Sequence, residues 1–437
     1  MTIFRKNKLT SSKNIMKTSL LVSSIVIALT SQAADLYQIT DLGSLAPDTV
    51  ANRTVEAFAI NDAGTIVGNA SGEDFISHAF SFRNQAISDL GSLPNEDENG
   101  VAEAGISFAF GINDNDIAVG YSIESFIVDP MADPIVKFDV NIAVYYDVND
   151  LEVNRIPQFV PDDPKSASAS AIESNIVVGN MLFDPPSDVD SDGNPVSFDY
   201  LRGFFYDISL DQLTIVHPLG NDDDRAISLR DLNSLGVAVG ISEETIEDSL
   251  TRQVVMVDID TPETLEKIQI FGGNNQQPWA VNDAGKIVGV ANSITNSDPQ
   301  AFIYANQAAI GLGFLNNNFK YSEAFDINES DQVVGVSQVE STPLYHAFLY
   351  ESDTLKDLND HIACDSGWQL IEARSINNSG VIAGTGIFDG EKRAFMLTPQ
   401  TGNAPVCETD DNSGSGSWSP FILVLLTLFG LVGKVKR

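Results

Sequence analysis

One acidic loop in the middle of the chain carries the residue pattern best suited to bind a metal ion. Asp188-Val-Asp-Ser-Asp-Gly-Asn-Pro-Val-Ser-Phe-Asp199 fits the spacing D-x-D-x-D-G-x5-[DE]. Ca2+ takes several oxygen ligands within a tight loop, and glycine at the sixth position permits the bend. We expect the ligands to be the side chains of Asp188, Asp190, Asp192 and Asp199 and the carbonyl of Asn194. The alternative is an acidic surface loop, because Asp199 replaces the usual Glu and Pro195 stands at position eight.

The two cysteines, Cys364 and Cys407, are the next chemical feature. An isolated pair in an exported protein predicts one disulfide bond, and two free thiols are the alternative. No Cys-x-x-Cys spacing occurs, so a redox role is not expected.

Spacings typical of hydrolytic or phosphate-binding enzymes are missing from the sequence. There is no Gly-x-Ser-x-Gly elbow, no Walker phosphate loop and no HExxH pair. A carboxylate pair for glycoside hydrolysis is compatible with the 61 acidic residues, but the sequence does not locate it. Trp279 and Trp368 lie near repeated turns, where core packing is favoured over a platform for sugar stacking.

The charge balance excludes one class of partner. The chain has 24 basic and 61 acidic residues, which gives a net charge of −37. Because phosphate binding needs a basic surface, we expect no nucleic-acid partner. An acidic surface keeps an exported protein soluble and attracts cations.

A ten-residue pattern recurs seven times, and it predicts the elements that position everything else. An apolar residue ends one strand, Asn-Asp-x-Gly supplies the turn, and a β-branched run begins the next strand. The closing glycine suits a bulge or the close approach of another backbone. The copies are Ala59–Gly68, Gly111–Gly120, the eroded Ala171–Gly179, Asp231–Gly240, Ala280–Gly289, Asp326–Gly335 and Ser375–Gly384.

The spacing of these copies predicts an all-β, seven-bladed β-propeller. The closing glycines recur about every 50 residues, which is typical of propellers and solenoids. In the first repeat we expect strands at Val55–Ile60, Thr65–Ala70, His78–Arg83 and Ala86–Leu90. His78 and His346 take equivalent strand positions in two repeats, which indicates a structural role.

The two ends of the repeat array predict a closed ring. The last repeat lacks a fourth strand, whereas Leu36–Leu45 supplies a spare one that resembles Gln85–Leu93. Pairing of this N-terminal strand with the last blade would close the ring. A Cys364–Cys407 bond would reinforce the closure. Insertions at Ser122–Val136 and Pro157–Lys165 are expected to form loops on one face.

Both termini predict export. Residues 1–33 resemble a secretory signal peptide, with an apolar run from Ser19 to Leu29 and cleavage after Ala33; Met16 is an alternative start. The propeller is expected over 34–407 and a polar linker over 408–417. An apolar segment with a basic end follows over 418–437. That segment is marginal in length for a permanent membrane span, so membrane contact is expected only through it and before processing.

The repeat, with its His346-Ala-Phe348 type strand, resembles the HAF family of bacterial extracellular repeats over nearly all of residues 36–399. The C-terminal segment resembles the GlyGly-CTERM class of sorting signals. This resemblance implies signal peptidase and a rhomboid-type protease as processing enzymes, with a cut near Gly414, Gly416 and Ser417, where Ser-Gly-Ser-Gly-Ser stands instead of a Gly-Gly run. The mature protein would be secreted or displayed on the bacterial cell surface.

We therefore expect a non-catalytic scaffold that binds an extracellular ligand or protein. The alternatives are an extracellular hydrolase of polymers such as polysaccharide and a structural component of the envelope. The sequence directs the search for function to the degenerate repeats between residues 121 and 225.

The calcium prediction is tested by calorimetric titration of the protein with CaCl2. We expect heat of binding from the wild type and none from Asp190→Ala, because the variant removes a carboxylate ligand. The same titration of Asp260→Ala, outside the acidic loop, is the control. A wild-type titration without heat would leave the loop as acidic surface only.

Overall fold

In the computed structural model, the described part of the chain is built almost entirely of β-strands. The structure describes residues 36–47, 53–72, 76–96, 102–103, 105–129, 136–157, 165–183, 188–189, 195–196, 200–221, 225–246, 249–271, 276–292, 298–341 and 344–401. Within these residues the helices are two short 3-10 turns, Leu219–Asn221 and Leu358–His361. No helix in the described ranges has the length and apolar character needed to cross a membrane.

The described strands form seven four-stranded antiparallel sheets around one axis, as the repeats predict. Strand β1 (Leu36–Asp41) precedes blade 1, which consists of β2 (Val55–Ile60), β3 (Ile66–Ser71), β4 (Ser77–Arg83) and β5 (Ala86–Gly91). A small hairpin of β6 (Asn95–Glu96) and β7 (Ala102–Glu103) follows. Blade 2 consists of β8 (Ser107–Ile112), β9 (Ile117–Asp129), β10 (Val136–Asp147) and β11 (Glu152–Arg155).

Blade 3 contains a second small hairpin. Its strands are β12 (Ala167–Glu173), β13 (Ile176–Phe183), then the hairpin of β14 (Asp188–Val189) and β15 (Pro195–Val196), then β16 (Tyr200–Asp207) and β17 (Gln212–Val216). Blade 4 consists of β18 (Ile227–Leu232), β19 (Val237–Ile246), β20 (Ser249–Asp258) and β21 (Leu265–Ile268).

The last three blades are the most regular. Blade 5 consists of β22 (Gln276–Val281), β23 (Ile287–Asn292), β24 (Pro299–Ala305) and β25 (Ala308–Gly311). Blade 6 consists of β26 (Ser322–Ile327), β27 (Val333–Glu340), β28 (Leu344–Glu351) and β29 (Thr354–Asp357). Blade 7 consists of β30 (Trp368–Ile376), β31 (Ile382–Phe388) and β32 (Glu391–Gln400), with β1 as its outermost strand.

The predicted ring closure by the N-terminal strand is confirmed. Strand β1 pairs antiparallel with β32, and Leu36 lies opposite Gln400. The guanidinium of Arg393 donates a 2.8 Å hydrogen bond to Asp41 across this junction. His78 and His346 occupy the position of Arg393 in blades 1 and 6, and each contacts an outer-strand carboxylate, at 2.7 and 2.6 Å. The position therefore holds the outer strand of a blade in place.

The hydrophobic core is divided into seven layers, one between each pair of adjacent blades in the described chain. A phenylalanine on the third strand of the blade is completely buried in five of them: Phe80, Phe204, Phe302, Phe348 and Phe395. Burial of one such ring contributes about 1.5–3 kcal/mol. No blade buries its apolar faces alone, so each depends on both neighbours.

The closing glycine of each repeat lies against the neighbouring strand at a bulge, and both parts of that prediction are confirmed. A Cβ atom added to Gly289 would lie 2.0 Å from the backbone oxygen of Gln277. The pairing of β22 with β23 shifts register at the same point, between Pro278 and Ala280. Equivalent shifts occur in the other six described blades.

The repeated asparagine forms hydrogen bonds within its own turn. In the Asn282 turn, Oδ1 accepts the N–H group of Lys286 at 3.0 Å, and the carbonyl accepts the N–H group of Gly285 at 2.9 Å. Gly285 has a φ of 70°, which favours glycine. Asp116 and Asp331 adopt the same left-handed conformation at this position in blades 2 and 6, and Asp tolerates it better than most residues.

In six of the seven blades the amide of the same asparagine also joins the blade to the next, which the sequence alone does not reveal. Nδ2 of Asn282 donates to the carbonyl of Asn328 at 3.2 Å. The remaining links run from Asn233 to Asn282, Asn328 to Asn377, Asn377 to Asn61, Asn61 to Asn113, and Asn113 to the carbonyl of Ser174. These six asparagines are at most 5% exposed, so their bonds are shielded from water.

Blade 3, the eroded repeat, replaces its asparagine link by a different one. Glu173 and Ser174 occupy the turn, which is one residue shorter. Asn180, on the adjacent strand, instead binds the next blade in two ways. Its Nδ2 donates to the carbonyl of Leu229 at 2.9 Å, and its Oδ1 accepts the N–H group of Leu229 at 2.7 Å. The ring of blade-to-blade bonds is thus continued by a new residue.

The two insertions that were predicted to form loops are described in part. The Ser122–Val136 insertion is not only a loop, because β9 continues to Asp129 and the insertion lengthens a hairpin. The remainder of that insertion and most of Pro157–Lys165 lie outside the described residues.

The predicted processing sites and one cysteine also lie outside the described residues: Ala33, Cys407, Gly414, Gly416 and Ser417. Cys364 has no free thiol, but its predicted pairing with Cys407 stays a prediction.

Replacement of Asn282 by Ala tests the blade-to-blade ring. The buried carbonyl of Asn328 and the N–H group of Lys286 would lose partners, at about 1–3 kcal/mol each. We expect Asn282→Ala to lower the free energy of unfolding in urea by about 2–4 kcal/mol. Ala284→Ser, in the exposed third position of the same turn, should change it by less than about 0.5 kcal/mol. Equal values for the two variants would contradict a stabilising ring.

Candidate functional site

The innermost strands of all seven blades enclose a cavity on the propeller axis. Its volume is about 620 Å3, within the range typical of small-molecule sites. Strands β2, β8, β12, β18, β22, β26 and β30 all contribute to its lining. Channel residues therefore come from equivalent positions in the seven repeats.

The bulge in each inner strand determines which side chain faces this cavity. At each register shift one residue is left without a partner on the neighbouring strand, and a bulge of this kind re-aims a side chain. The unpaired residue is always the third before the repeated asparagine or its replacement. All seven line the cavity: Phe58, Phe110, Ser170, Arg230, Trp279, Phe325 and Arg374.

Arginine and aromatic side chains interlock along the wall formed by blades 4 to 7. The Arg230 guanidinium lies 5.2 Å from the centre of the Trp279 ring, and that of Arg374 lies 4.2 Å from the centre of Phe325. The rings of Trp279 and Phe325 pack edge to face with centroids 6.3 Å apart. Such cation–π contacts contribute about 0.5–2 kcal/mol each.

The Trp279 ring is held by polar groups behind it. Its Nε1 donates a 2.6 Å hydrogen bond to the carboxylate of Glu323. The hydroxyl of Tyr321 donates to the other oxygen of Glu323. Burial and this hydrogen bond raise the pKa of Tyr321, so the hydroxyl keeps its proton. Trp279 is consequently pre-organised in the channel.

The opposite wall divides into an apolar and a polar part. Phe58 and Phe110 contact each other with ring centroids 5.4 Å apart. Blades 3 and 4 contribute hydroxyl and amide groups instead, from Ser168, Ser170, Ser228 and Asn180. The cavity thus offers flat apolar faces, neutral hydrogen-bonding groups and two cations.

Three acidic side chains also line the cavity. Asp231 accepts the N–H group of Val281 at 2.8 Å, and Asp326 accepts that of Ile376 at 2.8 Å, so both carboxyls join adjacent blades. Burial raises the pKa of Asp231 to about 7; the Val281 N–H group opposes this rise, and the charge of Asp326 adds to it. Burial raises the pKa of Asp326 and of Glu173 as well.

The two arginines differ in their charge partners. Arg374 forms a 3.1 Å ion pair with Glu372. Arg230 forms no ion pair with any described residue, and burial lowers its pKa. The Nε atoms of both are buried and lack a hydrogen-bond acceptor within the described chain.

Residues 76–418 match the model of a family described as a protein of unknown function, DUF3466. This chain belongs to that family. No curated protein matches the sequence. The family is described as one of unknown function, so membership relates this chain to other DUF3466 proteins but does not indicate an activity.

Solved structures similar to this DUF3466 protein match it at low identity and with TM-scores below 0.5. The oligogalacturonate lyase of Vibrio parahaemolyticus is 12% identical, over 84% of this chain and 94% of the lyase, with a TM-score of 0.49. Dipeptidyl peptidase 4 of Porphyromonas gingivalis is 8% identical, over 76% of this chain and 50% of the peptidase, with a TM-score of 0.39. The sialidase of Trypanosoma rangeli is 10% identical, over 70% and 57%, with a TM-score of 0.34. Likenesses this distant carry no information on substrate.

None of the predicted site residues is among the described residues that line the channel of the DUF3466 domain. Asp188 belongs to the two-residue strand β14, opposite Val196. The other calcium ligands, Asp190, Asp192, Asn194 and Asp199, are outside the described residues, so the site stays a prediction. Elsewhere in the described chain no group of three acidic, histidine or cysteine side chains is arranged to hold a metal ion.

Sequence reasoning missed the channel residues, and its interpretation of Trp279 was wrong. Core packing is correct for Trp368, which stacks on Phe388 at 5.0 Å beside the cluster between blades 6 and 7. Trp279 instead faces the cavity. A column of the aligned repeats could have identified it, because the third residue before the asparagine or its replacement is aromatic or arginine in every copy except Ser170.

Replacement of Asp231 by Asn tests its environment. Its folded pKa is raised, so its stabilising contribution is full below about pH 3.8 and is lost as pH rises through about 7. Asn does not titrate but still accepts the Val281 N–H group. We expect Asp231→Asn to be more stable than the wild type by about 2–4 kcal/mol at pH 8 and by much less at pH 5 in urea unfolding.

Asp260→Asn, at an exposed position, is the matched control and should show no such pH-dependent difference. A stability difference for Asp231→Asn that is the same at both pH values would contradict the assigned environment.

Proposed function

We propose that this protein is an exported, non-catalytic binding protein that holds a small ligand in the central channel. The observation that carries the proposal is the set of bulge positions. All seven repeats keep the closing glycine and the bulge, and six keep the same turn, yet the side chain presented to the channel changes from blade to blade. A fixed scaffold with varied residues at one convergent position is what a binding site requires.

The energetic arrangement also supports binding. Trp279 and Phe325 present ring surfaces to a cavity, although they would be more stable covered by neighbouring blades. Arg230 keeps a charge in the same partly buried space without a carboxylate partner in the described chain. Retaining such groups costs stability, and a ligand that covers the rings and accepts hydrogen bonds offsets that cost.

The proposal includes export because both termini have the patterns of export and sorting signals. The signal peptide at 1–33 would direct secretion, and the segment at 418–437 would hold the chain at the membrane until a rhomboid-type protease releases it. A calcium ion in the Asp188–Asp199 loop and a Cys364–Cys407 bond fit an extracellular protein of this kind.

A hydrolase is the second candidate, and Asp231 favours it. A carboxyl group with a pKa near 7 carries the proton that a general acid needs at neutral pH. Asp326 would be its carboxylate partner in the channel. Against catalysis, both groups already accept backbone N–H groups that join adjacent blades.

The proposal is tested with the mature fragment, residues 34–407, in a thermal-shift panel of sugars, sugar acids and short peptides, followed by calorimetry. We expect at least one ligand to bind, and Trp279→Ala to weaken it about tenfold, because a ring contact of about 1.4 kcal/mol is lost. Leu235→Ala, at a side chain that is 67% exposed outside the channel, should leave affinity unchanged.

The outcomes separate the candidates. Unchanged affinity in Trp279→Ala would place the ligand elsewhere. Turnover of a bound polymer by the wild type, abolished in Asp231→Asn, would replace binding by hydrolysis as the function.

A further inference from the structure

Two arginines line the channel of a protein that is strongly acidic overall. Of the 24 basic residues in the chain, Arg230 and Arg374 lie at the seven bulge positions that face the cavity. Each guanidinium group lies over an aromatic ring, which restricts its movement. An ordered cation in a partly desolvated cavity is a strong attractor for an anion.

The hydrogen bonds that the two guanidinium groups lack also favour an anionic ligand. The Nε atom of each is buried and has no acceptor within the described residues. Arg374 shares its charge with Glu372, whereas no carboxylate of the described chain pairs with Arg230. Guanidinium donors suit the two oxygens of a carboxylate, and a buried donor without an acceptor is costly.

The other side chains that line the cavity indicate the chemical character of the rest of the ligand. Trp279 and Phe325 lie between the two arginines along the ring of blades and offer flat apolar faces. The side chains of Ser168, Ser170 and Ser228 offer hydroxyl groups on the blades 3 and 4 side. A ligand that satisfies all three kinds of surface has an apolar ring face, several hydroxyl groups and a negative charge.

The acidic groups of the cavity do not oppose such a ligand strongly. Asp231 and Asp326 both accept N–H groups from the next blade. Burial raises the pKa of these two carboxyls and of Glu173, the third acidic group in the lining. The pKa of Asp231 reaches about 7, so part of its negative charge is removed near neutral pH.

We propose that the channel binds a sugar acid, with its carboxylate on Arg230 or Arg374 and its ring against Trp279 or Phe325. This inference rests on the proposed function and names the chemical class of its ligand. A free hexuronic acid and the end of an acidic polysaccharide share this chemistry.

The test is calorimetric titration of the mature fragment with two matched pairs of sugars. Galacturonic and glucuronic acid differ from galactose and glucose by the C6 carboxylate. We expect at least one acid to bind ten times more tightly than its neutral partner. Arg230→Gln or Arg374→Gln should weaken the acid at least tenfold while changing affinity for the neutral sugar less than about twofold. Oligogalacturonate tested beside the monomer distinguishes a polysaccharide end from a free acid.

Folding of the variants is checked by their thermal midpoints, and Arg252→Gln, at a mostly exposed arginine on the strand β20, is the matched control for loss of one positive charge. The sugar-acid inference is overturned if neutral sugars bind as tightly as acids, if neither arginine variant discriminates between them, or if none of the four sugars binds at millimolar concentration. In the first two cases, weakened binding by Trp279→Ala would still support the channel as a binding site. If another ligand class from the panel binds and depends on Trp279, the proposed function stands and only the sugar acid is excluded.

Discussion

The hydrogen bond from each turn asparagine to the carbonyl of the next blade is the constraint on which this propeller depends. One side chain serves two purposes, because its oxygen closes the turn and its amide reaches the neighbouring blade. The buried position of these groups makes an unsatisfied amide costly. Where the asparagine is absent, in blade 3, Asn180 supplies another connection to the following blade. Blade spacing at the axis is therefore set by polar contacts, while the seven apolar layers fill the space farther out.

This arrangement separates the residues that build the ring from those that can vary. The asparagine, the closing glycine and the buried phenylalanine each meet a neighbour at close range, so substitution there disturbs a contact between strands or blades. The residue at the bulge meets the channel instead. The bulge residue can be Phe, Trp, Arg or Ser without altering the strand register. The side chains at these seven positions therefore determine the chemistry of the cavity. Glu323 and Tyr321 show that supporting residues accompany such a choice, since they fix the ring of Trp279.

Much of the fold could be predicted from the sequence because turn chemistry and strand period are local properties. The predicted strand Val55–Ile60 is confirmed at both ends, and the spare strand at the N-terminus correctly predicted closure. The channel could not be found in the same way. A bulge changes the face on which a side chain lies, and simple alternation along β22 gives no reason to place Trp279 on the axis. The asparagine links were missed because they join residues about 50 positions apart, whose proximity exists only after the ring has closed. The degenerate repeats drew attention to the insertions, whereas the candidate site uses residues from regular blades as well.

Because β1 closes the ring by pairing with β32, the propeller cannot be completed until β32 has been synthesised. The strand Leu36–Asp41 is among the first parts of the described chain to be synthesised, and its partner Glu391–Gln400 is the last described strand. At about 5–20 residues per second, the interval between them is roughly 20 to 70 s. During that time β1 has no partner in its own sheet, and blade 1 lacks its neighbour on that side. The two ends of the domain can therefore be joined only after the other strands have been synthesised, and the channel lining is complete only then.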